Sequence, residues 1–427
     1  MASDEKGNRK FECRRALEAL RNGVPNRDAV KILGCNQPDV ESRFDDMLTR
    51  ASDTDSPPHG AMGMVVSGDF GTGKSHLLNH LEVCALSKGF VCSKVVISKE
   101  TPLYDLGKVF KSAVDNGRMP DRTGRLIEEL GHMLKPDSPR YANFFQWANE
   151  TKSNGLNQIF PASLLVHERS NDFELNNEIE YFWSGDRIKV TRVKDGLRQI
   201  GQLQNYSFRA PKARELPPQR LRFVIELIKA AGYKGWVVLL DEIELIGSYS
   251  QLQRGRSYAE LTRWLGKAVD ELYPGLVTVG TVTGDFAPFV ISPGGDKKDR
   301  DYVVPKLAVR YSGIIPRAET GMRILEQECI PLKQPDDTEI QHTINKLMEL
   351  YSAAYEWEAP NLKAEGHGAG YQNRMRYKVR SSINQWDLLR YYPDYVPETE
   401  GDEFRHKYEE NVDLERESKD DADIAQQ

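Results

Sequence analysis

Apolar positions recur along the chain with two different periods, and the alternation between them sets out the architecture. Over residues 9–34, Phe11, Ala16, Leu17 and Leu20, then Val30, Ile32 and Leu33 beyond Val24 and Pro25, have helical spacing. This predicts two amphipathic helices split at the proline, with a third over about 39–48. Residues 52–60 are rich in Ser, Asp, Pro and Gly and read as a linker. Short apolar runs at 62–66, 90–97, 236–240 and 276–282 then have the character of strands, the last two of the kind buried on both faces. Helical spacing is predicted at 77–86, 103–114, 120–134, 218–231 and 257–272. Strands alternating with helices predict a parallel α/β sheet. Beyond Pro331 the pattern is helical again, at 339–355 and 381–390. The mixed stretch 136–218 carries two aromatic clusters, Tyr141, Phe144, Phe145, Trp147 and Tyr181, Phe182, Trp183, and reads as largely helical. There is no internal repeat.

Composition narrows the class. A chain of 427 residues, 39% of them hydrophobic, can bury a core and has room for two or three domains. Its apolar stretches fall far short of the roughly 18 residues of a membrane span. Residues 1–10 are polar without an apolar signal core, so a cytoplasmic protein with no membrane partner is expected. Five scattered cysteines, Cys13, Cys35, Cys84, Cys92 and Cys329, show no metal or redox spacing and read as reduced core thiols. The net charge of −6 is concentrated at one end, where residues 398–427 hold 12 acidic and 4 basic side chains, leaving the body nearly neutral. That end reads as a solvated, disordered tail, with a docking peptide as the sharper alternative.

The chemistry begins between the first strand and the helix after it. Gly68-Asp69-Phe70-Gly71-Thr72-Gly73-Lys74-Ser75 fits G-x-x-x-x-G-K-[ST] at every fixed position, and His76 follows. Glycines let the backbone take positive φ and turn its N–H groups onto a phosphate, and the following helix adds its positive terminus. Lys74 would bridge the β and γ phosphates of ATP, and the Ser75 hydroxyl would ligate magnesium. A second carboxylate site is required on a neighbouring strand, and Trp236-Val-Val-Leu-Leu-Asp241-Glu242 supplies one. Asp241 would hold magnesium through its water shell and Glu242 would polarise the attacking water. Glu244, two residues on, reads as a solvated helix-end acid.

At the end of the next strand Thr283 is the candidate polar sensor of the γ phosphate, with Thr281 competing. Arg300, Arg310 and Arg317 are candidates for the external arginine that completes such a site, and Arg310 is preferred. Further on, Arg374, Arg376, Lys378 and Arg380 interleave with Tyr371 and Tyr377 after the glycine-rich 366–370. They suit a nucleic-acid backbone or unstacked base. An equally physical alternative is that one of these arginines reaches back to ATP from a lid. Gln253-Arg254-Gly255-Arg256 has the look of a helicase arginine motif but follows the acidic strand directly and is discounted.

Taken together, Gly68-Asp-Phe-Gly-Thr-Gly-Lys-Ser-His76, Val96-Ile-Ser-Lys-Glu100-Thr, Ala213-Arg214-Glu-Leu-Pro-Pro-Gln219-Arg220, Leu239-Leu-Asp-Glu-Ile-Glu-Leu-Ile246 and Arg256-Ser-Tyr-Ala-Glu-Leu261 resemble the BREX-associated ATP-binding proteins called BrxD. The resemblance runs from Arg14 to about Tyr395. It implies a P-loop AAA+ core related to origin-recognition ATPases, a helical lid, and a role in a bacterial anti-phage system that marks host DNA by methylation. Implied partners are a methyltransferase, a helicase-like protein and other BREX components. The family's loop residues map onto Gly68, Gly73, Lys74 and Ser75 and its acidic pair onto Asp241 and Glu242, while the arginine finger and lid sensor do not map.

The resulting expectation is an N-terminal helical segment over 1–55, a parallel-sheet AAA+ nucleotide-binding core flanked by helices over 56–330, a C-terminal helical lid over 331–397 and the acidic tail 398–427. The separation of Lys74 from Asp241 leaves room for a helical insertion at about 136–211, whose clustered aromatics suggest a partner surface. Function is expected to be ATP hydrolysis with magnesium by a homo-oligomer that loads or remodels partners on DNA. An ATP-gated scaffold with little turnover is the alternative.

Overall fold

A computed structural model describes residues 2–22, 26–53, 60–268, 271–362 and 375–394. Its centre is a six-stranded sheet: β1 (Met62–Ser67), β2 (Val91–Val96), β3 (Gly117–Arg118), β4 (Trp236–Asp241), β5 (Leu276–Val282) and β6 (Ile330–Pro331), in the order β3-β2-β4-β5-β1-β6. All pairings are parallel except β2 with the short edge strand β3. The two-residue side-chain period divides β4 between two cores. Val237 and Leu239 pack with α3 (Pro38–Ser52) and α4 (Lys74–Ser87) on one face. Trp236, Val238 and Leu240 join a larger cluster on the other. Burial on both faces is why this strand lacks polar alternation.

The larger cluster is built by α5 (Leu106–Asp115), α6 (Leu126–Met133), α7 (Pro139–Asn149), α9 (Ile159–Arg169), α10 (Phe173–Ser184), α11 (Val190–Gln199), α12 (Leu216–Ala230), α13 (Gln251–Trp264), α14 (Asp299–Ala308) and α15 (Ile315–Arg323), while the single turn α8 (Thr151–Asn154) buries no residue. The aromatics of 136–218 meet the expectation of helix but not that of a partner surface. Phe144, Phe160 and Trp183 surround Phe223 of α12 at centroid distances of 5.2–5.3 Å, and the Trp183 indole donates to Ser163 Oγ at 3.0 Å. Of the seven aromatics singled out in the sequence, only Tyr181 is exposed, and Arg125 lies over its ring. Ring area of this size is worth more in a core than in water.

A third cluster joins the two ends of the chain. α1 (Ala2–Arg21) and α2 (Arg27–Leu33) pack with α16 (Asp337–Tyr355) and α17 (Met375–Tyr391) through Leu17, Leu20, Tyr351, Ile383 and Trp386. Arg21 pairs with Asp387 at 2.8 Å, and Tyr351 donates to the same carboxylate at 2.7 Å. The N-terminal helices and the C-terminal helices, expected as separate segments, thus share one core. α17 also starts earlier than the predicted 381, because Met375 and Val379, one turn apart, both pack into this cluster. Val24, Pro25, residues 54–59, residues 363–374 and the acidic tail lie outside the described residues.

Candidate nucleotide-binding site

The loop between β1 and α4 is shaped by its glycines. Gly71 and Gly73 have φ of 85° and 105°, in the left-handed region that side chains avoid, and Gly73 forms the amino-terminal cap of α4. At Gly68 a Cβ would meet Thr72 Oγ1 at 2.7 Å, so the loop closes only around a glycine. Thr72 donates from its backbone and hydroxyl to the Asp69 carbonyl, at 3.2 and 2.8 Å. Lys74 folds over this loop and donates to the Gly68 carbonyl at 2.8 Å and, weakly, to Asp69 at 3.5 Å.

Strand register brings the acid to the loop. Leu240 lies opposite Gly280, so Asp241 ends β4 beside Thr281 of β5, on the face that packs against α4. Asp241 is buried; its Oδ2 accepts from Ser75 Oγ at 3.2 Å and its Oδ1 from Thr281 Oγ1 at 2.8 Å. Lys94 of β2 adds an ion pair at 3.3 Å. Glu242 is exposed and has φ 62°, ψ 41°, a left-handed conformation that costs a non-glycine residue about 1–2 kcal/mol. Such strain at a strand end is characteristic of working sites. Thr283 lies buried just past β5, where its carbonyl accepts from Phe286 N–H at 3.2 Å. Of the two competing residues, Thr281 donates its hydroxyl to the acid.

Glu244 departs from its expected solvated position. The turn after β4 buries Ile243 and Ile246, and Glu244 turns inward with them, 5% exposed and with Oε1 3.9 Å from Lys74 Nζ. Burial raises its pKa to about 7 against the pull of Lys74, and Asp241 and Glu242 add to the rise. Burial likewise lowers Lys74, with Glu244 and Asp241 opposing.

Beside the loop a cavity of about 640 Å³ opens between residues 33–37, α4, α16 and α17, a size typical of ligand pockets. His76 sits in its wall and donates through Nε2 to the Gly34 carbonyl at 2.6 Å. Burial lowers its pKa, which keeps the ring neutral. Arg376, on the first turn of α17, lines the same cavity and stacks its guanidinium over Phe70, 5.3 Å from the ring centroid. Its pKa is lowered by burial and by Arg380, while Asp241 and Glu242 favour its charge.

The basic cluster is therefore divided. Arg376 faces the loop, Lys378 is half-buried, Arg380 is exposed and Arg374 lies outside the described residues. The three earlier arginines are separated too: Arg300 pairs with Glu326, Arg317 pairs with Glu271 at 3.2 Å, and Arg310 is exposed just beyond α14. Arg254 of the discounted motif is fully buried against Asp299 at 2.8 Å, holding α13 to the start of α14.

The family model described as BREX system ATP-binding protein BrxC/D matches residues 9–124 and 218–376. This chain belongs to the BrxC/D family. The expected BrxD membership is thereby met at the level of BrxC and BrxD together, as an ATP-binding component of a BREX system. The unmatched interval, 125–217, holds α6 through α11 of this BrxC/D protein, while both the loop and the Asp241 strand lie in matched segments. No curated protein and no solved structure matches the chain. Among the described residues no helix is long and apolar enough to cross a membrane.

Proposed function

We propose that this BrxC/D chain is a P-loop ATPase of the AAA+ kind that binds ATP with magnesium at the β1–α4 loop and hydrolyses it. The observation that carries the reading is the convergence of Ser75, Asp241 and Thr281 within hydrogen-bond distance, next to Lys74. A hydroxyl and a carboxylate are the hard oxygen donors that suit magnesium, and no rearrangement is needed to present them together. Bound magnesium would supply charge neutralisation across the phosphates. The chain's own residues do the rest. Gly71, Gly73 and the α4 terminus orient backbone N–H groups, Lys74 exchanges loop carbonyls for phosphate oxygens, and Thr281 orients Asp241. Glu242, exposed beside that pair, is the general base for the attacking water. The helical lobe over the cavity, with Arg376, encloses the rest of the nucleotide. The AAA+ assignment belongs to this reading, supported by β5 lying between the loop strand and the acid strand and by the lobe over the loop.

We assign the turnover to work on other BREX components, with loading or remodelling of partners on DNA by an oligomer as the expected form. Glu242→Gln should retain bound ATP while turnover falls at least about a hundredfold, as expected for loss of a general base. Lys74→Ala should instead weaken nucleotide affinity. Unchanged hydrolysis in both variants would sink the proposal. Tight ATP binding without turnover in the wild type would favour the ATP-gated scaffold.

A further inference from the structure

Lys74 and Glu244 form a buried pair that a phosphate-binding loop has no need of once nucleotide is present. Glu244 Oε1 is 3.9 Å from Lys74 Nζ, and Glu244 Oε2 is buried with no hydrogen-bond partner among the described residues. An unpaired buried carboxylate oxygen is expensive, so an acid kept here calls for a reason beyond packing. Its neighbours supply the reason. Lys74 is the cation that faces it, Asp241 and Glu242 act on it from the end of β4, and Asp69 and Asp285 act on the same lysine. Lys74 is thus held between two loop carbonyls and one buried acid.

We propose that Glu244 is a positioning residue, the counter-ion that Lys74 exchanges for phosphate, and that its carboxylate weakens nucleotide binding and couples it to proton uptake. The inference rests on nucleotide occupying the loop as proposed above. When phosphate takes over Lys74, Glu244 loses its favourable cation and gains an anionic neighbour, so its carboxyl is more readily protonated in the complex than in the free protein. The complex then holds more protons, and linkage requires affinity to fall as pH rises through about 7, where the free carboxyl titrates. Below that range the carboxyl is already neutral and the effect vanishes. The exchange also gives the enzyme a means of releasing product, because the carboxylate returns to Lys74 as phosphate leaves.

The test is equilibrium binding of a fluorescent ADP in magnesium-free buffer from pH 6.5 to 8.5, on wild type and Glu244→Gln. The expected result is that the variant binds roughly tenfold tighter at pH 8, and that the two curves converge toward pH 6.5, since one pH unit of linkage is a factor of ten. Any titration of the nucleotide's own phosphate appears in both curves and cancels in their difference. Equal affinities with parallel pH profiles overturn this inference and leave the nucleotide site standing. Absence of nucleotide binding by both proteins overturns it together with the proposed function. Should the variant fail to fold, calorimetry of ADP binding to wild type at pH 8, where the nucleotide's phosphates are already ionised, in two buffers of different ionisation heat decides the matter. Net proton uptake supports the exchange, and zero uptake or release overturns it.

Discussion

At the scale of single residues, two buried charge pairs of this protein behave differently. Arg254 and Asp299 are fully buried, bidentate, and joined by Tyr258, whose hydroxyl donates to Asp299 at 2.6 Å, and by the Tyr249 carbonyl, which accepts from Arg254. Every strong acceptor of Asp299 is used, so the pair is structural. Asp299→Leu strands a buried guanidinium and should lower stability by about 3–5 kcal/mol, measured by urea unfolding. Adding Arg254→Met should recover a large part of that loss, since a buried pair replaced by apolar side chains is often neutral. The Lys74–Glu244 pair, longer and with one oxygen idle, is built to be broken. The two threonines considered as sensors differ in their place on the fold. Thr281 donates its hydroxyl to Asp241, whereas Thr283 lies just beyond the strand; both continue the odd-numbered series of Val277 and Val279, so spacing alone does not rank them.

At the scale of elements, the helices between α5 and α12 form a layer whose interior is aromatic. Phe223 is the hub, touching Phe144, Phe160 and Trp183, so Phe223→Ala opens a cavity shared by α7, α9, α10 and α12. Loss of about 3–5 kcal/mol is expected, read as a lowered unfolding midpoint, with nucleotide affinity unchanged in the folded fraction because the site lies on the opposite face of the sheet. Helix α13 shows how local signals and packing cooperate. Ser250 and Gln253 form a reciprocal capping box, which sets its start at Gln251, ahead of the predicted 257. Its end follows from Gly266, where φ is 69° and a Cβ would collide with the Ala61 carbonyl. A periodicity reading sees neither limit, because the first turn, Gln251 to Arg254, carries one apolar residue, Leu252, while its polar Gln253 and Arg254 are the buried ones.

At the scale of the whole molecule, a sheet domain carrying the loop is roofed by a lobe made from both ends of the chain. α2 packs on α4, and α17 delivers Arg376 to Phe70 of the loop. Arg376→Ala should weaken ADP binding roughly tenfold, about 1.4 kcal/mol, as judged by fluorescence titration. Arg380→Ala, altering an exposed cation one turn further along, should leave nucleotide affinity unchanged and instead reduce any salt-dependent DNA binding. An equal effect of both on nucleotide would contradict this division of the cluster.

Much of this was legible beforehand. The glycine spacing of the loop, the apolar runs of β1, β2, β4 and β5 and the Asp241-Glu242 pair depend on local backbone and burial periods, which a linear pattern records directly. What the chain order alone could not express were contacts between distant segments. Strand register set Thr281 beside Asp241, a turn after β4 buried Glu244 against Lys74, and helix packing carried Arg376 to the loop while leaving Arg380 in solvent. The aromatics of α7 and α10 became core because Phe223, far along the chain, faces them. Local propensity and motif spacing thus determined the elements and the glycine-rich loop, and tertiary packing decided which charges meet, because the energy of a charge depends on burial and neighbours and these are properties of the folded chain.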